Sequence, residues 1–440
     1  MIIYCLDFSY WKRKFIAKFL FQYRCKFKNK ITNNKNASHI SIAFWASNII
    51  HSPNINFIEK EYQQSTRSSD KQLIVLHIED GFIRSNGLGC NFYYPYSLVI
   101  DKAGIYYDPK NTCDLEKILQ KLIQEYSNEE YLELFERACS LKELIIKNNI
   151  TKYSIYYSNK ANLTKHSQIN NKSLESMIYE YNESFTNSTN NNNYNIEPKT
   201  IFIPAQIDDD ASVILGGCGY SNITLLREVR KNHPSSFIIF KIHPDALSGN
   251  RVSEINIKEV KSLANYICSN EYTNIDCINL CNEIHTISSL VGFEALIRNK
   301  KVYCYGMPFY AGYGLTVDVS VSNNHPIALA AYARRKKINL FSDKNTNPKN
   351  MSPTEIGITN LIIGSLILYP TYFNWDKKII STAEDVISTL LKNPHSKQNK
   401  FCYYFSKITK PFRKKYLNTN NLLEQYQIKE NFYNNSNEGK

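Results

Sequence analysis

The sequence predicts an α/β protein with two Rossmann-like domains that face a central cleft, followed by a helical C-terminal extension. The chain has 440 residues, more than a single hydrophobic core usually serves. Short apolar, β-branched runs alternate with segments of helical periodicity, and this alternation occurs twice. Between the two alternations, an Asn-, Ser- and Thr-rich stretch at 182–196 lacks apolar periodicity, which predicts a linker or exposed loop.

The first alternation lies N-terminal to the Asn-rich stretch. Its predicted strands are IIYCLDF, ISIAFWA, LIVLHIE, YSLVID and GIYYD. Its predicted helices are SYWKRKFIAKFL, DLEKILQKLIQEY and YLELFERACSLKELIIKN, in which apolar residues recur at helical spacing. We therefore assign residues 1–181 to an N-terminal Rossmann-like domain.

The second alternation begins directly after the Asn-rich stretch. TIFIPAQ, SFIIFKIHP and KVYCYG are predicted strands, YSNITLLREVRKNHP is a predicted helix, and NEIHTISSLVGFEALIRNK combines a strand, a turn and a helix. We assign 182–198 to the linker, 199–376 to a C-terminal Rossmann-like domain, and 377–440 to a helical, basic extension and tail. Two such halves are typical of the GT-B architecture of many glycosyltransferases.

The formal net charge of +13 is concentrated at the two ends of the sequence. Residues 1–40 hold nine Lys and Arg against one acid, and residues 397–440 hold nine against three. Such ends suit an anionic surface, or they are two solvated basic segments. No aromatic-basic motif of the RNA-binding type occurs, so we expect no nucleic-acid partner. No apolar run has the length that crosses a bilayer.

Four polar stretches follow predicted strands, where open α/β sheets bind ligands. They are Glu79-Asp80-Gly81, Asp208-Asp209-Asp210, His243-Pro244 and Ser288-Ser289. The first continues into GFIRSNGLG, where Arg84 and bare backbone N–H groups suit a carboxylate or phosphate. The first stretch would come from the N-terminal domain and the other three from the C-terminal domain.

Each stretch also has a plain structural interpretation. The aspartate triplet can hold a divalent metal on a nucleotide diphosphate, supply a catalytic carboxylate, or form an acidic turn. His243, whose direction Pro244 restricts, either hydrogen-bonds a leaving phosphate or is a satisfied structural histidine. Ser288 and Ser289 cap a predicted helix and either bind phosphate or only cap it. The occurrence of all four at strand ends favours the functional interpretation.

Longer strings around these residues resemble the KpsC/LipA-type capsule polysaccharide proteins, which are related to CMP-sugar-using bacterial sialyltransferases. The strings include IEDGFIRSNGLG, QIDDDASV, KIHPD and HTISSLVGFEALIRNKKVYCYGMPFYAGYGLT, and the resemblance runs from about residue 2 to about residue 376. It implies a retaining β-Kdo transferase with CMP-Kdo as donor, no cofactor and no metal, because CMP is a monophosphate. Many relatives carry two such modules in tandem, whereas this chain has one that looks more like the second.

The resemblance also implies roles for individual residues. Asp210 is the implied nucleophile and Glu79 the implied acid/base, with Asp80 as the alternative to Glu79. The implied donor-binding residues are His243, Pro244, Lys241, Ser288, Ser289, Gln206, Arg84 and Gly81. In YGMPFYAGYGLT, Tyr310 and Gly312 either contact the sugar nucleotide or acceptor or belong to a buried turn, and the two interpretations stand equal.

The implied function is transfer of Kdo from CMP-Kdo onto a glycolipid, which builds the poly-Kdo linker on lyso-phosphatidylglycerol in capsular polysaccharide biosynthesis and export. Residues 1–181 would form the acceptor domain. The alternatives are a transferase for another CMP-activated ulosonic acid such as sialic acid, or a non-catalytic capsule assembly component. Expected partners are the glycolipid acceptor, the anionic inner-membrane surface, and capsule biosynthesis or export proteins. The expected location is cytoplasmic, peripheral on the inner face of the inner membrane.

Overall fold

Two sheets organise the chain, and each belongs to one of two compact units. The computed structural model describes residues 1–29, 39–51, 72–153, 172–189, 198–247, 251, 255–344, 350–393 and 397–417. The first unit comprises Met1–Tyr156 with Ala330–Phe405, and the second comprises Tyr157–Leu329 with Ser406–Lys440. The mixed α/β class that the alternating pattern predicts is confirmed.

The first unit contains a seven-stranded mixed sheet. In chain order its strands are β1 (Ile2–Leu6), β2 (Arg24–Lys28), β3 (His39–Trp45), β4 (Gln72–Asp80), β5 (Ser97–Asp101), β12 (Pro370–Asn374) and β13 (Ile379–Ser381). Their order in the sheet is β13-β12-β5-β4-β3-β1-β2. The strands from β2 to β4 pair in parallel, and the pairs from β4 to β13 are antiparallel.

Amphipathic helices accompany the first sheet, and side chains cap several of their N-termini. They are Tyr10–Phe19, Asp114–Gln124, Asn128–Lys147, Pro353–Ile362 and Ala383–Lys392, with a π-helical turn at Ile363–Leu368. The helix Asn128–Lys147 begins with a capping box, in which Ser127 and Glu130 bond each other's backbone amides. The helix Lys400–Leu417 follows in the chain.

The second unit contains a six-stranded parallel sheet. In chain order its strands are β6 (Thr200–Pro204), β7 (Phe237–Lys241), β8 (Tyr266–Cys268), β9 (Glu283–Thr286), β10 (Lys301–Cys304) and β11 (Val317–Asp318), and their order is β11-β10-β9-β6-β7-β8. β6, β7 and β9 are buried along their whole length, as parallel strands covered on both faces are. All carboxyl ends in this sheet therefore point to one edge.

Further helices belong to the second unit or join the units. They are Leu174–Thr189, Ala211–Gly216, Asn222–Asn232, Pro244–Leu247, Ile257–Leu263, Asn274–Leu280, Leu290–Ile297, Val319–Ser322 and Pro326–Arg335. The last of these contains the point where the chain passes from the second unit back to the first.

The structure divides the chain differently from the boundaries expected from sequence. β12 lies within 199–376 but pairs with β5, so this segment completes the first sheet. The stretch 377–440, expected to be helical, also contains β13. Residues 182–189 of the expected linker are helical, because Leu174 is buried and Tyr181 packs on Phe237 with ring centroids 5.4 Å apart. Residues 190–197 lie outside the described part.

Candidate active site

β4 ends in the carboxylates Glu79 and Asp80. The Glu79 carboxylate accepts hydrogen bonds from the Tyr107 hydroxyl and the Ser47 amide, each at 3.3 Å, and from the Asp80 amide at 3.1 Å. Burial, followed by the charge of Asp80, raises the pKa of Glu79 above its ordinary value. A carboxyl group with a raised pKa suits proton transfer closer to neutral pH.

Arg84 holds Asp80 in place. Its Nε lies 2.7 Å from Asp80 Oδ2, and its Nη1 donates to the Tyr93 carbonyl at 3.0 Å. A Cβ on Gly89 would come within 2.7 Å of Arg84 Nη2, so a glycine leaves room for the guanidinium. Because Arg84 is 1% exposed and bonded to protein groups, the structure makes it a positioning residue, which differs from the donor-binding role expected.

Gly81 is required by close packing. Its amide donates to the Ser97 carbonyl at 3.0 Å, and a Cβ would lie 2.3 Å from Ser97 Oγ. The glycine therefore lets β4 pass against β5 directly after the two carboxylates. Asp80 Oδ1 is buried and has no hydrogen-bond partner among the residues that the structure describes.

Lys12 is a residue that the sequence analysis did not single out. It lies on the helix Tyr10–Phe19, and its Nζ is 3.4 Å from the centroid of the Trp45 ring, a cation–π contact. Burial lowers the pKa of Lys12 to about 8, while the charges of Glu79 and Asp80 oppose the fall. The only available signal was the basic string YWKRK, which does not distinguish Lys12 from its neighbours.

In the second unit, the three aspartates after β6 have separate partners. Asp208 accepts from the Asn222 side chain at 2.8 Å. Arg251 bridges the other two, with Nη2 at 2.6 Å from Asp209 and Nη1 at 3.0 Å from Asp210. Arg251 is a second functional candidate that the sequence analysis missed, because it lies 41 residues from Asp210 in the chain.

Asp210 caps the helix Ala211–Gly216. One carboxylate oxygen accepts from the Ser212 amide at 3.0 Å and from the Ser212 hydroxyl at 2.8 Å, and the other faces Arg251. The Asp210 side chain remains 42% exposed. The carboxylate is therefore fixed in direction but open to solvent.

Gln206 and the two serines form one hydrogen-bonded group at the carboxyl ends of β6 and β9. Gln206 accepts from the Ser288 amide at 2.9 Å and donates to the Ser288 hydroxyl at 3.1 Å. The Ser288 hydroxyl donates in turn to the Ser212 carbonyl at 3.1 Å. Ser289 caps the helix Leu290–Ile297 by accepting from the Val291 amide at 3.3 Å. This group ties the helix N-terminus to the turn that follows Asp210.

His243 lies just beyond the carboxyl end of β7. Its Nδ1 accepts from the Asp245 amide at 3.1 Å, so the neutral ring carries its proton on Nε2. Pro244 begins the short helix Pro244–Leu247 and lacks an N–H, which is tolerated at that position.

Lys241 and Tyr310 make hydrogen bonds inside the second unit. The Lys241 ammonium donates hydrogen bonds to the carbonyls of Ser269 and, at 2.6 Å, Tyr272. It therefore connects β7 to the loop after β8 and does not have the sugar-donor-binding role expected from sequence. Tyr310 is fully buried, and its hydroxyl donates to the Ser289 carbonyl at 2.5 Å. Gly312 adopts a φ of 86° and donates to Asp318 at 2.9 Å. The structure thus supports the buried-turn interpretation of Tyr310 and Gly312 over ligand contact.

Comparison with known proteins identifies the class. The family model described as capsule polysaccharide biosynthesis protein matches residues 59–346. The chain belongs to this family of capsule polysaccharide biosynthesis proteins.

Individual relatives agree with the family assignment. The capsule polysaccharide modification protein LipA of Neisseria meningitidis serogroup B is 30% identical over 403 residues, which are 90% of this chain and 46% of LipA. This chain therefore spans about half the length of that relative.

Two solved structures share the fold. The Thermosulfurimonas dismutans KpsC β-Kdo 2,7 transferase matches with a TM-score of 0.57 and 26% identity, over 90% of this chain and 100% of that chain. The β-Kdo 2,4 transferase of the same organism matches with a TM-score of 0.58 and 22% identity, over 88% of this chain and 97% of that chain. The GT-B-like fold class expected from sequence is thereby confirmed. None of the helices in the described ranges is long and apolar enough to cross a membrane.

Proposed function

We propose that this chain is a retaining β-Kdo transferase that moves Kdo from CMP-Kdo onto a glycolipid, extending a poly-Kdo linker on lyso-phosphatidylglycerol for a capsular polysaccharide. The observation that carries the proposal is the similarity to a β-Kdo 2,7 transferase along 90% of the chain. Such chemistry needs two carboxyl groups. Asp210 offers one that is held in direction and exposed to solvent, and Glu79 offers one with a raised pKa.

In the proposed mechanism, Asp210 attacks the anomeric carbon of Kdo and the C–O bond to CMP breaks, with the electron pair leaving on the phosphate. Glu79 then takes the proton of the acceptor hydroxyl, whose oxygen displaces Asp210 and restores the carboxylate. Two displacements at one carbon retain its configuration. Asp80 is the alternative base, since its buried Oδ1 has no partner in the described chain.

The donor's charges have complementary groups in the second unit. The His243 Nε2–H and the N-terminus of the helix Leu290–Ile297 suit the CMP phosphate. Arg251, already paired with Asp210, suits the carboxylate that an ulosonic acid carries next to its anomeric carbon. These groups favour a CMP-activated ulosonic acid over a neutral sugar donor.

We further propose that the transfer needs no metal. Arg251 already supplies positive charge to Asp209 and Asp210, and Asp208 is bonded to Asn222, so the three carboxylates do not converge. Adding Mg²⁺ or Mn²⁺ to metal-depleted protein should leave the initial rate unchanged. A rate that depends on added Mg²⁺ would restore the interpretation of the triplet as a metal site.

The test compares two neighbouring aspartates that both pair with Arg251. We expect Asp210→Asn to lower transfer from CMP-Kdo to a synthetic Kdo-glycolipid by about 10³-fold or more, because the amide cannot form the glycosyl intermediate. Asp209→Asn, at a side chain 72% exposed, should retain most activity. Product formation is measured by mass spectrometry and the linkage by NMR. Near-normal turnover by Asp210→Asn would exclude it as the nucleophile.

The donor assay also separates the alternatives. Turnover of CMP-Neu5Ac without turnover of CMP-Kdo would indicate a transferase for sialic acid. Failure of the folded wild-type chain to use any CMP-activated ulosonic acid would favour a non-catalytic capsule assembly component. Such a component would be identified by its capsule biosynthesis or export partners.

We propose a peripheral location on an anionic, cytoplasmic membrane face for this protein. The helix Lys400–Leu417 supports it, since Phe401, Tyr404, Phe405 and Ile408 are between 58% and 73% exposed at spacings of one helix face. Lys400 and Lys407 lie among them, and the whole segment 397–440 is basic. Such a helix lies in the membrane interface and does not span it.

Vesicle sedimentation tests this location. Vesicles with phosphatidylglycerol should bind the chain, whereas phosphatidylcholine vesicles should bind it weakly. Phe401→Ser with Ile408→Ser should lower binding at least about tenfold, because two apolar side chains no longer enter the interface. Ile379→Ser, at an exposed apolar residue elsewhere, is the control. Equal binding by the double variant would contradict the role of this helix.

A further inference from the structure

Two histidines and a glutamate meet at the edge of the second sheet opposite the candidate active site. Glu283 and His285 lie on β9 with one residue between them, so both point to the same face. His233 ends the helix Asn222–Asn232. One ligand atom from each of the three residues lies within 4.8 Å of the others. Gln206, His243 and Ser288 follow the carboxyl ends of their strands, whereas Glu283 is the first residue of β9.

Two atoms in this cluster are buried and unsatisfied. His285 is 0% exposed and Glu283 is 3% exposed. Neither His285 Nε2 nor Glu283 Oε2 has a hydrogen-bond partner within the described ranges, and they are 3.6 Å apart, too far for a hydrogen bond of their own. Buried polar atoms normally have a hydrogen-bond partner, since a buried donor or acceptor without one costs about 1–3 kcal/mol of folding free energy. A ligand atom of His233 lies within 4.8 Å of the ligand atoms of Glu283 and His285.

The contacts around His285 Nε2 and Glu283 Oε2 are compatible with metal binding by both atoms. The Tyr305 hydroxyl lies 3.1 Å from His285 Nδ1, and the Tyr303 ring stacks on the imidazole with centroids 4.2 Å apart. A ring that donates its Nδ1–H to the Tyr305 oxygen leaves Nε2 as a lone pair.

Lys199 uses the other oxygen of Glu283. Its Nζ is 2.6 Å from Oε1, and Lys301 Nζ is 3.7 Å from the same atom. Both ammonium groups are about half exposed and thus reach the cluster from the solvent side. Oε2 therefore remains for a ligand on the inner side. In a tetrahedral zinc site with bonds of about 2.0–2.1 Å, ligand atoms are roughly 3.4 Å apart, close to the distance between Oε2 and Nε2.

We propose that His233, Glu283 and His285 bind a divalent transition-metal ion of the zinc class, with water at the fourth position. The ligand set of two imidazoles and one carboxylate suits Zn²⁺ and excludes Ca²⁺ and Mg²⁺, which prefer oxygen. The ion joins β9 to the C-terminal end of the helix Asn222–Asn232. It lies at the amino end of the sheet, so its role is structural and independent of sugar transfer.

The test measures metal binding by the full chain after chelation. Isothermal titration with Zn²⁺ should show one site, and Co²⁺ should give the visible absorption of a four-coordinate ion. His233→Ala and Glu283→Gln should each weaken Zn²⁺ binding by more than about tenfold, since even the loss of an outer-shell partner costs 10–100-fold. Zn²⁺ should raise the melting temperature of the wild type and of neither variant.

His325→Ala is the matched control. Like His233, His325 is half-buried, precedes a proline and belongs to the second unit, but it is outside the cluster. It should bind Zn²⁺ as the wild type does. Absence of stoichiometric binding, or binding that His233→Ala leaves unchanged, would overturn the proposal and leave a buried charge network. Because His233 is half-buried, its variant should fold, which circular dichroism verifies.

Discussion

At the scale of single residues, the ionised form of Glu79 serves the proposed function but lowers the stability of the fold. Its carboxylate accepts three hydrogen bonds, yet burial and Asp80 still raise its pKa. A group whose pKa is raised on folding stabilises the fold fully below its ordinary pKa, and this contribution is lost as pH rises through the raised value. Above that raised pKa, the ionised Glu79 therefore destabilises the first unit, while providing the base that the proposed mechanism needs.

We predict that Glu79→Gln is more stable than the wild type at pH values above the raised pKa of Glu79, because the amide stays neutral. The difference should shrink as pH falls below the raised pKa of Glu79, where the wild type becomes protonated. Urea unfolding monitored by fluorescence at several pH values measures both. Sugar transfer should fall by orders of magnitude in the same variant.

The control is Glu133→Gln, on an exposed position of the helix Asn128–Lys147. It should change the free energy of unfolding by less than about 0.5 kcal/mol at every pH. If the free energy of unfolding of Glu79→Gln depends on pH as that of the wild type does, then ionised Glu79 does not destabilise the fold. If it also transfers sugar normally, Glu79 is not the base.

At the scale of elements, the helix Leu290–Ile297 depends on the buried turn at Tyr310. The Tyr310 hydroxyl donates to the Ser289 carbonyl, and a Cβ on Gly292 would lie 2.2 Å from that hydroxyl oxygen. The glycine and the tyrosine therefore fit each other. Their contact fixes the helix N-terminus that is proposed to hold the CMP phosphate.

We predict that Gly292→Ala destabilises the protein by about 1–3 kcal/mol, since the new methyl group overpacks the site. Tyr310→Phe removes the hydroxyl and should relieve the contact. In a double-mutant cycle, Gly292→Ala with Tyr310→Phe should therefore cost less than the sum of the single variants. Additive free energies of unfolding would show that the two residues do not share this contact.

Sequence patterns predicted the long elements well and the short ones poorly. The helix Tyr10–Phe19 and the strand β7 follow from apolar spacing. β2, with the sequence RCKFK, was missed because a basic edge strand buries too little apolar surface to produce a pattern. GIYYD was predicted to be a strand, but residues 105–108 form a turn, since aromatic content alone does not create a pairing partner.

The candidate site was predictable where a motif follows a strand. Asp210, His243 and Ser288 lie at carboxyl ends of the second sheet as expected. Lys12 and Arg251 were not predictable, because their importance arises from contacts with residues distant in sequence. The roles of Arg84 and Lys241 are also not predictable from sequence. Arg84 is paired with Asp80, and Lys241 is bonded to protein carbonyls, through contacts that only the folded chain makes.

At the scale of the whole molecule, the first unit is assembled from two distant parts of the chain. Glu116, near the start of the helix Asp114–Gln124, receives Arg334 at 2.7 Å and Arg335 at 2.8 Å. Burial raises the pKa of Glu116, but the two arginines overcome this and hold it below its ordinary value. Arg335 is 1% exposed, so its ion pair with Glu116 is shielded from solvent.

We predict that Glu116→Gln costs about 3–5 kcal/mol at neutral pH, because it removes the carboxylate that pairs with a buried arginine. In the wild type, this stabilisation is fully present above the ordinary pKa of a glutamate, about 4.3, and is lost as pH falls through the lowered value. The free energy of unfolding by urea, measured from neutral to acid pH, shows both effects.

Glu384→Gln is the matched control, since Arg137 and Glu384 also join early and late segments but are 37% and 33% exposed. It should cost no more than about 1 kcal/mol. Equal losses in the two variants would mean that burial does not distinguish these pairs.

The placement of β12 between β5 and β13 has a consequence for synthesis on the ribosome. The second unit's sheet, from β6 to β11, is contiguous in the chain and can form while translation continues. The first sheet must wait for a strand that emerges more than 260 residues after β5, so its nascent edge stays exposed in the interval. Chaperones that shield unpaired strands should therefore engage the nascent chain until residue 374 has left the exit tunnel.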